Sequence, residues 1–162
     1  MLLSKEAISA ATEVLTSAGV DGLILENFGD TPFAKERVPP VTVAAMAVIA
    51  REIRRDHNVP LGINVLRNDA EAAMSIAHVV AADFIRVNVH VGAVVADQGL
   101  LEGRARETLL LRRALGVTVL VALVSEIFVE SVQKAAETFG MSQAFVGFIV
   151  VSLVGAAAEF AV

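Results

Sequence analysis

The sequence predicts an α/β protein built on a parallel sheet and continued by an all-α membrane hairpin. Three observations point there. Short apolar runs that end in polar residues alternate with amphipathic stretches through about residue 115. Residues 1–113 hold 12 of the 13 Lys and Arg and 14 of the 18 Asp and Glu. Residues 116–162 hold two long, nearly uncharged segments. Alternation of strand and helix favours parallel pairing, because parallel neighbours need a crossover long enough to return to the starting end. An open doubly wound sheet and a (β/α)8 barrel both meet that requirement.

The first helix is SKEAISAATEVLTSAG, with Ser4 as N-cap, an apolar face of Ile8, Ala11, Val14 and Leu15, and Gly19 as its stop. GLILEN, residues 22–27, is the first strand, and NFGDTPFAKERVPP is a loop punctuated by Gly, Pro and Asp. A second helix, VTVAAMAVIAREIRRDH, starts after Pro39 and Pro40 and keeps Arg51, Arg54 and Arg55 on its solvated side. LGINVLRND is the next strand and turn, EAAMSIAHVVAA the next helix, and FIRVN the next strand. GLLEGR, residues 99–104, lacks the spacing of a phosphate-binding glycine loop and reads as a turn before a helix.

Functional groups of parallel α/β folds gather at the carboxyl ends of the strands. Here those ends carry Glu26 and Asn27, then Asn64, Arg67 and Asn68, then Arg86 and Asn88. Arg86 and Asn88 share a face by the two-residue period, and in a barrel that face points inward toward Asn64 and Glu26. A carboxylate, two amides and a guanidinium suit a small polar or phosphorylated ligand, with Glu26 as the acid or base. The competing reading has the same residues capping helices and satisfying loop backbone. His57, His78 and His90 show no metal-ligand spacing.

With no Cys, the chain has neither a disulfide framework nor thiol chemistry. A net charge of −5, with no basic stripe and no Tyr or Trp to interleave with basic residues, argues against a nucleic-acid partner, and none is expected. The N-terminal MLLSKEAISAATEV lacks the pattern of a secretory signal, so no targeting segment is expected.

AGVDGLILENFGDTPF, RVPPVTVAAMAVIAREIR, VPLGINVLRNDAEAAMSIA and ADFIRVNVHVGAVVADQGLLEGRA, in that order, resemble the BtpA (BtpA/SgcQ) family through about residue 115. The resemblance implies a TIM-barrel-like fold and, in cyanobacteria, a role in photosystem I biogenesis or stability. It marks Glu26, Asn64, Asn68, Arg86, Asn88, Asp97 and Gln98 as motif positions. Residues 1–115 are therefore expected to form a partial (β/α)8 unit, about three strands of eight, whose open edges call for a homo-oligomer or a missing complementary half.

Residues 116–132 and 144–162 make the two apolar segments, and the second, nineteen residues with one charge, reaches the length of a membrane span. The soluble alternative for VTVLVALV, rich in β-branched residues, is a buried strand completing the preceding crossover. Glu126 and Glu130 lie four apart on one helical face, and Glu159 sits deep in the second segment. An acid at mid-bilayer costs roughly 2.5–3.5 kcal/mol, so such residues face a protein interior or an ion path.

LVSEIFVESVQKAAETFGMSQAFVGFIVVSLVGAAAE resembles the calcium/proton exchangers of the cation antiporter superfamily over about residues 117–162. That likeness implies a cation site at Glu159, with Gly155 and Ala157 in its motif and Glu126 and Glu130 nearby, and calcium as the transported ion. Ala156 and Phe160 depart from the family's motif. No cofactor is expected. Arg112 and Arg113 before the first span put the N-terminal portion on the cytoplasmic side of a membrane. The resulting expectation is a BtpA-like part fused to an exchanger fragment, without complete activity alone, with an exchanger half-unit and a dimer-assembled barrel enzyme as the alternatives.

Overall fold

The structure, a computed structural model, describes residues 5–117 and 119–123. Its elements run α1 (Lys5–Ser17), β1 (Leu23–Glu26), α2 (Pro40–Asp56), β2 (Leu61–Asn64), α3 (Ala70–Val80), β3 (Phe84–Val87), β4 (Ala93–Ala96), β5 (Gly99–Glu102), α4 (Ala105–Leu115) and β6 (Leu120–Leu123). The described residues up to Ala122 make one compact unit. Four strands form a sheet in the order β1-β2-β3-β6, and β1, β2 and β3 are parallel. The register aligns Glu26 with Asn64 and Asn64 with Arg86. This is the mixed α/β architecture with a parallel sheet that the sequence predicts, consistent with part of a barrel.

Alternation divides the sheet's two faces. Leu61, Ile63, Ile85 and Val87 point to one side, where they pack with Met46, Ala50 and Ile53 of α2 and Ala73, Met74, Ile76, Ala77 and Val80 of α3. Leu23 and Leu25 of β1 border the same core. Ile63, Met74 and Ile85 are fully buried, each burial being worth roughly 1.5–3 kcal/mol relative to exposure. The other face carries Ile24, Gly62 and Phe84 in one row and Glu26, Asn64 and Arg86 in the next. A Cβ on Gly62 would overlap the Phe84 ring, so glycine there lets the ring lie flat across β2.

Local chemistry sets the helix ends. Pro39 and Pro40 start α2, where a missing N–H costs nothing. Asp69 caps α3 through a 2.9 Å bond from Ala72 N and also accepts from Val38 N at 2.9 Å, tying the preceding loop to the helix. Gly116, with φ +64, ends α4 in the left-handed conformation. Helix α1 departs from its expected face: Val14 and Leu15 are exposed, and the buried side is that of Ile8 and Thr12, whose hydroxyl bonds back to Ile8 O at 2.8 Å.

Two expectations are corrected. Residues 99–104, expected as a turn before a helix, open instead with strand β5, which pairs with β4 in an antiparallel hairpin with Asp97 and Gln98 at its tip and Gly99 at φ +94. The first apolar segment contains strand β6 next to β3 in the sheet. Val119 is buried in the domain core and Val121 packs against it. The β-branched run therefore serves as a core strand, which is why the same apolar residues resembled a span. Among the described residues no helix is long and apolar enough to cross a membrane, so the expected membrane location, with its cytoplasmic N-terminal portion, is withdrawn. The second apolar segment and Glu126, Glu130, Gly155, Ala157 and Glu159 lie outside the described residues.

Candidate functional site

The carboxyl ends of β1, β2 and β3 bring together residues that the chain holds far apart. Glu26 Oε1 accepts from Asn64 Nδ2 at 2.8 Å and from Arg86 Nη1 at 2.9 Å. Both bonds fall on one oxygen. The Glu26 and Arg86 side chains keep 25% and 20% of their surface exposed, so the pair is neither sealed in the core nor fully screened by water. Asn64 is 1% exposed and points away from the helices, with its amide bridging neighbouring strands. The cluster places one carboxylate, one amide and one guanidinium in a single row across the sheet.

The next turn outward is built by asparagines that hold loop backbone. Asn27 accepts from Leu66 N at 2.7 Å and donates to Leu66 O at 3.3 Å, closing the β1 end on the β2 loop. Asn68 accepts from Val89 N at 2.8 Å and donates to Val89 O at 3.0 Å, which closes the β2 loop on the end of β3. Asn88 donates to Arg67 O at 2.8 Å. Each amide thus mimics a strand neighbour where the ladder has ended, satisfying main-chain groups that would otherwise be left open.

The predicted positions accordingly separate. Glu26, Asn64 and Arg86 meet through direct bonds; Asn68 and Asn88 organise the surrounding loops; Asp97 is exposed and Gln98 half-buried on the hairpin tip. Sequence reading did not single out Arg67 as a site residue. Its backbone is held on both sides, by Ala34 O at 3.2 Å and by Asn88, while its half-buried guanidinium has no hydrogen bond or ion pair among the described residues. The signal available was its place three residues beyond the end of β2, between Asn64 and Asn68.

A cavity of about 210 Å³ opens beside Asn68, between the starts of α3 and α4 and the hairpin, with Val87, Leu101 and Thr108 in its wall. Its volume is below the roughly 300 Å³ at which pockets for drug-sized ligands begin, and its lining carries more acidic than basic residues. His90, beyond β3, is partly buried, and that desolvation lowers its pKa from the usual imidazole value. Among the described residues no group of three or more His, Asp or Glu could hold a metal ion.

Comparison with known proteins places this geometry in a family. The sequence model of the BtpA family matches residues 4–150. An uncharacterised protein of Methanocaldococcus jannaschii is 54% identical over 101 residues, 62% of this chain and 38% of the relative. The photosystem I biogenesis protein BtpA of Synechocystis is 49% identical over 116 residues, 72% of this chain and 40% of the relative. A mitochondrial uncharacterised protein of Caenorhabditis elegans is 34% identical over 108 residues, 64% of this chain and 39% of the relative. The chain spans about two-fifths of the length of the curated relatives it matches. No solved structure matches it. The family match continues well past residue 117, through most of the stretch that resembles an exchanger, and nothing found here supports an exchanger fragment. With the family's model covering residues 4–150, the chain belongs to the BtpA family.

Proposed function

We propose that this chain is a BtpA-type partial barrel that binds a small polar ligand at the carboxyl ends of β1, β2 and β3, with Glu26 as the group that gives or takes a proton. The observation that carries the reading is the row Glu26, Asn64, Arg86. Three polar side chains stand in register on the sheet face away from the helices, and Glu26 uses one oxygen for both neighbours. A row that served helix capping would bond helix N–H groups; here Asn64 and Arg86 both donate to Glu26. The name of the Synechocystis relative connects that protein with photosystem I biogenesis, and we carry the same role to this chain as part of the proposal.

The face that bears the row also bears Ile24, 46% exposed on the edge strand. A second copy or a complementary half that covered this edge would enclose the row and exclude water from it, as a closed barrel does.

The test is thermal unfolding of the full chain against a panel of neutral polyols and their phosphate esters. A rise in Tm with one of them, absent in Asn64→Ala and Asn88→Ala variants that still unfold cooperatively, supports the site. No rise with any member of the panel, or a rise that both variants keep, removes it.

A further inference from the structure

We infer that Arg67 is the anion-binding residue of this site and that the ligand carries an oxyanion, a phosphate or carboxylate group. The inference rests on the polar site proposed above and specifies the chemistry of its ligand.

Two other half-buried arginines give the contrast. Arg54 pairs with Asp83 at 3.1 Å and Arg86 pairs with Glu26 at 2.9 Å. Arg67, equally withdrawn from solvent, has no carboxylate, carbonyl or hydroxyl partner among the described residues. Its Nε is buried without a hydrogen bond, while its outer nitrogens keep access to solvent. The buried Nε–H therefore goes without an acceptor in the unliganded chain, at a cost in stability. Buried polar groups left without partners are uncommon enough in folded proteins that each calls for a physical reason.

The backbone around Arg67 is the opposite of loose. Its N–H donates to Ala34 O and its carbonyl accepts from Asn88 Nδ2 at 2.8 Å, so the loop after β1 and the end of β3 fix it between them. Asn88, the residue that holds it, carries a second buried atom without a partner, Oδ1. A held backbone with an unsatisfied cationic head is the arrangement expected of a preorganised anion site, because the planar fork offers two parallel N–H groups to an oxyanion. Arg86 is unsuited to that task, since its charge is already met by Glu26.

The experiment is isothermal titration of the full chain with inorganic phosphate and, separately, with acetate, for the wild type, Arg67→Gln and, as an exposed arginine outside the site, Arg51→Gln. The expected result is saturable 1:1 binding of one of these anions, which also tells phosphate from carboxylate preference, weakened at least about tenfold in Arg67→Gln and changed less than about twofold in Arg51→Gln. Without anion, Arg67→Gln is expected to melt about 2–4 °C above the wild type, where a structural arginine would melt below it. Binding of neither anion, or equal binding by wild type and Arg67→Gln, overturns the inference. If Arg67→Gln fails to fold, phenylglyoxal labelling of the wild type decides. The anion must slow modification of Arg67 several-fold and leave exposed Arg51 unchanged, and equal rates at Arg67 with and without anion reject the assignment. Anion failure beside a polyol response that depends on Asn64 removes this inference alone; loss of both removes the site as well.

Discussion

Glu26 and Arg86, 60 residues apart in sequence, meet in a 2.9 Å ion pair at the carboxyl end of the sheet. Exposed pairs contribute about 0–1 kcal/mol, and breaking a fully buried one costs about 3–5 kcal/mol. With both side chains a fifth to a quarter exposed, Glu26→Gln and Arg86→Met should each lower unfolding free energy by about 1–3 kcal/mol. A double-mutant cycle by urea denaturation should return a coupling of about 1–2 kcal/mol. Additive effects would show that the pair is a proximity without energetic content.

Asp69 holds two backbone N–H groups at once, Ala72 of α3 and Val38 of the preceding loop. Asp69→Ala should therefore cost about 2–3 kcal/mol, the sum of a lost cap and a lost buried hydrogen bond. Asp69→Asn keeps one acceptor oxygen and should cost about half as much. Equilibrium denaturation of the two variants checks the ranking.

Gly103 lies directly against the His90 carbonyl, where a Cβ would overlap main-chain atoms that have no side-chain freedom to yield. Its N–H also donates to Gly92 O at 2.7 Å, docking the hairpin. Gly103→Ala should cost about 1–3 kcal/mol and speed amide exchange at residue 103. At the hairpin tip Gly99 has open space around it and a positive φ, so Gly99→Ala should cost only the conformational strain, about 1–2 kcal/mol. Equal effects would contradict the packing account.

His90 supplies a pH dependence of known sign. Burial lowers its folded-state pKa below the ordinary value of 6.5, so the unfolded chain binds the proton more readily. Its contribution is in place above about pH 6.5 and is lost as pH falls toward the depressed folded value. Unfolding free energy measured at pH 7.5 and pH 5 should fall with acidification, and His90→Gln should flatten that difference. An unchanged difference would show that the ring takes up its proton in the folded state at no cost.

The parallel core was legible because each of its strands is a short apolar run ended by polar residues, and each of its helices has a start or stop signal. The two-residue period also puts Arg86 and Asn88 on one face. Register supplied what the period lacks: which residues of different strands lie side by side, and hence that Glu26 bonds Asn64 and Arg86. The hairpin was hidden because its four-residue strands are shorter than the windows over which alternation can be recognised, although Asp97 and Gln98, followed by the glycine that opens GLLE, form a turn signal. Residues 117–123 were ambiguous for a different reason. A core strand and a lipid-facing segment select the same apolar residues, and only the place of β6 beside β3 tells them apart. Arg67 stood among the strand-end residues without being set apart from them, because the lack of a partner is a property of the assembled chain and leaves no trace in the order of residues.

Ile63 and Asn64 are neighbours in the chain and stand back to back across the thickness of one strand, the first among hydrocarbon and the second among charges. Inheritance can therefore act on the two sides of β2 as if they belonged to different proteins. A change at Ile63 is felt in the packing of the helices, and a change at Asn64 in the bonds that join the ends of neighbouring strands.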